Sequence, residues 1–194
     1  LRTSLMPGQL KIISYNQSHR IKKLKFFEIG HVYLPSEDNQ LLPDEREYLS
    51  ISIAGGDATE IVAILDMISL TMAFPNMQLK QQEIEGLHPG RSAQVFVAGQ
   101  ERGAVGEVDP RVLRNYGIDD SVAWLELDLG SILAGPFGKK KYTSVSKYPS
   151  SDIDLAFEVP DDTSSASVAG CLRKAGGTYL KDCLLYTSPS PRDI

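Results

Sequence analysis

His88 and Arg91 flank Pro89 and Gly90, a titratable base and a permanent cation that together could orient a proton or hold an anion. Proline fixes its own φ and glycine supplies conformations that other residues avoid, so His88, Pro89, Gly90 and Arg91 are predicted to form a compact structural turn. Ala93, Val95 and Val97 then alternate with Ser92, Gln94 and Phe96; Gly99 to Gly103 reverses the chain, and Gly103 to Val108 returns as the second strand of a hairpin. Asp109 is placed to cap a helix whose first turn holds Pro110, where a missing N–H loses no hydrogen bond. A hairpin with a capped helix names no chemistry by itself.

The other chemical candidates fail on spacing. The three histidines, His19, His31 and His88, are neither paired four residues apart nor joined to a Cys or carboxylate cluster, so no metal centre is expected. A phosphate loop needs Gly-x-x-x-x-Gly-Lys. Gly130 and Gly135 have that spacing, but Pro136 stands where lysine is required, and Gly138-Lys139 has Leu133 in place of the first glycine. No Gly-x-Ser-x-Gly elbow is present, although a triad assembled from distant residues leaves no such mark. Cys171 and Cys183 are too few for a disulfide scaffold and fit a reducing cytoplasm.

A hydrophobic content of 42% supports a real core in one large or two small domains. The longest apolar stretch, Ile61 to Phe74, is interrupted by Asp66, Ser69 and Thr71 and falls short of the about 20 residues of a membrane span. The formal charge of −5 opposes a uniformly basic nucleic-acid-binding protein. Lys22-Lys23-Lys25 and Lys139-Lys140-Lys141 are local exceptions, each read first as a solvated face and second as an RNA contact. The opening at Leu1, without a charged-then-apolar leader, is expected of a fragment that begins mid-protein.

Pro7 and Gly8 open an amphipathic helix expected over residues 8–17, with Leu10, Ile13 and Ile12 inward and Lys11, Asn16 and Gln17 outward. Leu24 to Tyr33 has strand composition, and a polar loop from Pro35 to Pro43 precedes a strand from Tyr48 to Ala54. There Leu49, Ile51 and Ile53 should face helices while Ser50 and Ser52 form the polar side. Thr59 is the expected N-cap of a helix from Glu60 to Met72, whose Ile61, Ile64, Leu65, Ile68 and Met72 form a core or partner face. Strands are expected at Met77 to Ile84 and Val122 to Leu129, with a helix at Asp109 to Tyr116. Trp124 shares its face with Val122, Glu126 and Asp128, which suggests a wet edge or an interface. Gly135, Pro136 and Gly138 mark a boundary near 135–141. Beyond it, Ser151 to Val159 reads as a strand and Ser164 to Ala175 as a helix with Val168, Cys171 and Leu172 inward.

Several blocks occur in a distinctive order: Leu1-Arg2-Thr3-Ser4-Leu5-Met6-Pro7-Gly8, Tyr15-Asn16-Gln17-Ser18 and Phe26-Phe27-Glu28-Ile29-Gly30. Then come the His88 to Arg91 segment, Gly103-Ala104-Val105-Gly106-Glu107-Val108-Asp109-Pro110, and Leu125-Glu126-Leu127-Asp128. Ser144-Val145-Ser146-Lys147-Tyr148-Pro149 and Asp154-Leu155-Ala156 complete the series. Over about residues 1–182 this series resembles the beta subunit of bacterial phenylalanine-tRNA ligase.

That resemblance implies an α+β fold in which residues 1–141 form a class II synthetase-like antiparallel sheet flanked by helices, without catalytic activity. Residues 142–182 would supply the first β-α of a ferredoxin-like anticodon-binding domain, poorly packed because its partner strands are missing. Residues 183–194, rich in Ser and Pro, depart from the family pattern and are expected to be an unrelated, artefactual tail. The resemblance further implies an alpha subunit as partner, in a heterotetramer of two alpha and two beta chains, that activates phenylalanine and attaches it to tRNA(Phe) with ATP and Mg2+. This piece should hold no cofactor, metal or catalytic residue.

Class II sites in such enzymes hold ATP with two arginines. Here Phe26 stands two before Glu28 where an Arg-x-Glu pattern would need arginine, and Gly90-Arg91 lacks the accompanying glycines. Gly55-Gly56-Asp57-Ala58 is a shorter connection than the family's, and Ile153 stands where the family often has arginine, leaving Lys147 as the nearest basic candidate for a tRNA contact. The family's editing and metal-associated regions would lie upstream of Leu1. The alternative reading is a free-standing, non-catalytic synthetase-like paralogue that binds a protein partner.

Overall fold

The computed structural model describes residues 1–36, 42–135, 148–160, 163 and 165–185, and the chain divides into two compact units, residues 1–142 and 143–194. In the first unit, helix α1 (Met6–Ser18) precedes strands β1 (Leu24–Leu34) and β2 (Asp44–Ala54), then helix α2 (Ala58–Met72). Strands β3 (Gln78–Gln81), β4 (Leu87–Val97) and β5 (Gln100–Val108) follow, then α3 (Pro110–Asn115), β6 (Val122–Asp128) and α4 (Leu129–Ala134). The six strands form one sheet in the order β1-β2-β6-β5-β4-β3, and every neighbouring pair is antiparallel.

The period of two along β6 divides the core into two layers. Leu125 and Leu127 join Ile53, Val95, Val105 and the Ile61 and Leu65 side chains of α2. Val122 and Trp124 join Leu10 and Ile13 of α1, Leu113 of α3 and Ile118. Helices on both faces therefore bury all seven residues of β6. This corrects the expectation for Trp124: it occupies a central strand and is 4% exposed, because α1 covers the face that Glu126 and Asp128 suggested was wet.

Local chemistry sets the helix ends. Asp57, extended at φ −122 and ψ 174, accepts a hydrogen bond from the Glu60 amide and caps α2; Thr59, the expected cap, already lies inside the first turn. The helix closes at Ala73 in the left-handed region, φ 56. In α1, Leu10 and Ile13 are buried as expected, whereas Ile12 is 45% exposed, because at about 100° per residue it lies roughly 100° round the helix from the middle of the face that Gln9, Leu10 and Ile13 bury. Asp128 caps α4, a helix the sequence reading did not contain, accepting hydrogen bonds from the Ser131 amide at 2.9 Å and the Ser131 hydroxyl at 2.6 Å.

His88 to Arg91 lie within β4 rather than in a separate turn. The register passes from Leu87↔Val108 directly to Ser92↔Gly106, so five steps along β4 match two along β5 and the surplus bulges out of the ladder. Pro89, which has no N–H to give, is tolerated in that bulge. The hairpin turn comes at Ala98 and Gly99, both at positive φ. The strand expected over Met77 to Ile84 is confined to Gln78–Gln81.

In the second unit, helix α5 (Ser165–Gly176) is followed by a 3-10 turn, Gly177–Tyr179. Residues 148–160 adopt neither helix nor strand, which corrects the strand expected from Ser151 to Val159: among the described residues no partner strand is paired with it, and an isolated strand is not stable in water. Ile153 and Leu155 are accordingly 79% and 68% exposed. On α5, Val168 and Leu172 are half-buried, but Cys171 is exposed. The tRNA-contact candidate Lys147, residues 136–141 of the proposed boundary and residues 186–194 of the tail lie outside the described residues.

Candidate functional site

Two polar clusters carry the residues that could act. The first brackets the β4–β5 hairpin. Arg91 pairs with Glu107 at 2.8 Å, and the other Glu107 oxygen accepts the Ala58 amide at 3.1 Å, tying the hairpin to the first turn of α2. The Gly90 amide donates to His88 Nδ1 at 3.2 Å, so the imidazole braces the bulge; Arg91 is engaged with Glu107. Asp109 accepts from the Arg111 guanidinium and amide, and these bonds hold its carboxyl down to about 2.

The glycines of this segment have a steric reason. A Cβ at Gly106 would lie 2.3 Å from the Arg91 carbonyl oxygen, and one at Gly103 would lie 2.0 Å from that of Glu126. The Gly-x-x-Gly-Glu-x-x-Pro run thus encodes two close backbone approaches, a buried carboxylate and a helix start. Its residues serve packing.

The second cluster lies under α1 and escaped the sequence reading. Gln9, fully buried, accepts hydroxyl hydrogen bonds from Ser50 at 3.0 Å and Ser52 at 2.5 Å and donates to the Ser50 carbonyl at 3.3 Å. Beside it the Glu126 carboxylate accepts the Leu5 amide at 2.7 Å and the Ser4 hydroxyl at 3.2 Å. Burial pushes the Glu126 carboxyl up to about 7, opposed by those two donors and by Arg2. Arg2 itself pairs with Glu28 at 2.7 Å and donates to the His31 carbonyl at 2.9 Å. The alternation of Ser50 and Ser52 with Leu49, Ile51 and Ile53 was the available signal; it marks a polar face, but only the position of α1 makes that face buried.

The two arginine-bearing positions do not converge. Glu28 and Arg2 meet at β1, whereas Arg91 and Glu107 meet at β4 and β5. β1 and β4 are four strand spacings apart, roughly 19 Å at the usual interval, and each guanidinium is neutralised by its own carboxylate. A triphosphate requires convergent, uncommitted cations, so these residues do not fit that group. Among the described residues, no three His, Cys, Asp or Glu side chains gather as metal ligands. An open groove of about 360 Å³ between α1 and the α3–β6 connection is lined by Ser14, Lys22, Tyr116, Asp119 and Asp120. There Gln17 donates to Asp120 at 3.2 Å.

The model of the phenylalanyl-tRNA synthetase beta chain CLM domain matches residues 1–129. A phenylalanine-tRNA ligase beta subunit of Clostridium tetani is 31% identical over 188 residues, 96% of this chain and 24% of that protein. The corresponding subunit of Clostridium acetobutylicum is 28% identical over 194 residues, with the same coverage. The chain thus spans about a quarter of the length of these curated relatives. In fold it is similar to a pyrrolysyl-tRNA synthetase of Desulfitobacterium hafniense, with a TM-score of 0.55 and 20% identity over 69% of this chain and 48% of that one.

Proposed function

This chain belongs to the phenylalanyl-tRNA synthetase beta-chain family, and from that premise we propose that it serves as a non-catalytic, assembly-supporting part of a bacterial phenylalanine-tRNA ligase. In this reading the complete enzyme, two alpha and two beta chains, attaches phenylalanine to tRNA(Phe) in the cytoplasm with ATP and Mg2+, and the alpha subunit activates the amino acid. The contribution of residues 1–141 is a rigid synthetase-like sheet. Residues 142–182 are the beginning of an anticodon-binding domain, Lys147 is its candidate tRNA contact, and residues 183–194 are foreign to the family.

One observation carries the assignment of a structural rather than a chemical role. Under α1, Gln9 is satisfied by Ser50 and Ser52 and Glu126 by Ser4 and Leu5, while Arg2 and Arg91 are neutralised by separate carboxylates, Glu28 and Glu107. Polarising a carboxyl group or steadying a pyrophosphate takes convergent, uncommitted cations, and Arg2 and Arg91 do not provide them.

The test is a chimaera in which residues 1–129 of this chain replace the matching segment of the Clostridium tetani beta subunit, co-expressed with that organism's alpha subunit. The expected result is a heterotetramer by light scattering with phenylalanine attachment retained, and no ATP–pyrophosphate exchange by the 194-residue chain alone. Failure of a folded chimaera to associate with alpha would overturn the assembly role; exchange activity in the isolated chain would overturn the non-catalytic one.

A further inference from the structure

Residues 1–27 contain six Lys and Arg and no Asp or Glu, in a chain whose net charge is −5. Arg2 and Lys25 are committed to Glu28 and Glu60. The other four, Lys11, Arg20, Lys22 and Lys23, are exposed, and none is in an ion pair among the described residues. α1 buries Gln9, Leu10 and Ile13 against the sheet, which directs Lys11, Tyr15 and His19, spaced at i, i+4 and i+8, along its outer side.

On that side Tyr15 is 65% exposed, and its ring lies 4.4 Å from the His19 ring. His19 Nδ1 is held 2.8 Å from the Tyr15 carbonyl oxygen, which fixes the imidazole beside the phenol. Such an exposed ring pair contributes little to the core. Set among uncommitted cations, it has the composition of a surface that stacks bases while lysines follow the phosphates.

We propose that the outer side of α1 and the residues that follow it bind single-stranded RNA, with Lys11, Arg20, Lys22 and Lys23 contacting phosphates and Tyr15 with His19 stacking a base. From Lys11 to His19 the helix rises about 12 Å, a span of three nucleotides even at the stacked rise of about 3.4 Å. An acidic peptide would use the cations but leave the ring pair without a role. Asp119 and Asp120, which line the groove beside Lys22, repel a phosphate from that side and confine the strand to the outer face. The surface lies in the first unit and goes beyond the proposed assembly role, since it requires neither the alpha subunit nor the terminal domain.

The experiment titrates the 194-residue chain into a fluorescein-labelled single-stranded RNA of about 12 nucleotides, a length within the range of known single-strand sites, from 50 to 200 mM salt. Four phosphate contacts predict a slope of log affinity against log salt of about −2.8. The K11A/R20A/K22A/K23A variant should bind at least about tenfold more weakly, with a slope collapsing toward zero, while the four Lys/Arg exchanges retain binding. Tyr15→Ala should weaken binding about tenfold without changing the slope. Circular dichroism confirms the fold of each variant; should the quadruple variant unfold, the exposed pair K22E/K23E replaces it and must also lower affinity. Wild-type affinity in a folded charge variant would overturn the proposal. Equal competition by polyglutamate and unlabelled RNA would also overturn it, assigning the surface to an acidic protein segment.

Discussion

The Leu5 amide donates to the Glu126 carboxylate at 2.7 Å, joining residues 121 positions apart. Leu5 is the N-cap of α1 and has no side chain able to cap it, so the central strand of the sheet supplies the acceptor that the local sequence lacks. Ser4 extends the arrangement: its hydroxyl donates to Glu126 and accepts the Met6 amide at 3.1 Å. One carboxylate thus positions the helix that covers the second core layer.

Glu126 makes stability depend on pH. Its folded-state pKa is raised from 4.5 to about 7 by burial, so the folded chain binds this proton more tightly than the unfolded one. The contribution is fully present below about pH 4.5 and is lost as pH rises through 7. Glu126→Gln removes the titration. The unfolding free energy of wild type relative to the variant should fall by on the order of 3 kcal/mol between pH 4.5 and 8, an upper bound set by the size of the shift. Urea titrations of both proteins across that range measure the difference, and a constant difference would contradict the assignment.

The Gln9 network should behave as a unit. Gln9→Leu leaves the buried Ser52 hydroxyl without its acceptor, and an unsatisfied buried polar group costs about 1–3 kcal/mol. Adding Ser50→Ala and Ser52→Ala to Gln9→Leu should recover part of that loss, giving a coupling of about 1 kcal/mol or more in a mutant cycle. Strict additivity would show that the hydrogen bonds act independently.

The close approaches at the hairpin predict a graded glycine series. Gly103→Ala and Gly106→Ala place a methyl group against backbone and should destabilise by about 3 kcal/mol or more, visible as a fall in Tm. Gly99→Ala meets no atom within 4 Å but sits at φ +77, so its cost is conformational alone, about 1–2 kcal/mol. Equal effects at all three positions would remove the steric explanation.

The opposite exchange should stabilise. Ala73 terminates α2 at φ 56 and ψ 48, a conformation glycine adopts without the Cβ penalty. Ala73→Gly should therefore raise stability by about 1 kcal/mol, or Tm by about 3 °C for a chain of this size. Differential scanning calorimetry reads the shift, and a lower Tm would refute it.

Limited proteolysis should separate the two units. Residues 148–160 carry exposed Tyr148, Leu155 and Phe157 and no regular structure, so chymotrypsin should cut there first and leave a resistant fragment that ends between Tyr148 and Phe157. Protection extending through Ala175 would show that the second unit packs more tightly than its exposure indicates.

Much of the fold was written locally in the chain. The alternation at Leu49, Ile51 and Ile53, the helical spacing of Ile61, Leu65 and Ile68, and Asp109-Pro110 at a helix start each follow from period or capping chemistry, which operate over a few residues. The ordered blocks also carried the family, through Gly103, Gly106 and Glu107. What tertiary structure alone decided was which polar residues lie inside. Ser50, Ser52 and Glu126 have the pattern of a solvated face until α1 crosses above them and Gln9 and the Leu5 amide replace water. His88 and Arg91 have the composition of a reactive pair until the β4 bulge gives the imidazole to Gly90 and the guanidinium to Glu107. Sequence periodicity determines that one side of a strand is polar; only the arrival of a distant element determines whether water or protein satisfies it, because hydrogen-bond partners 41 to 122 residues away leave no local trace.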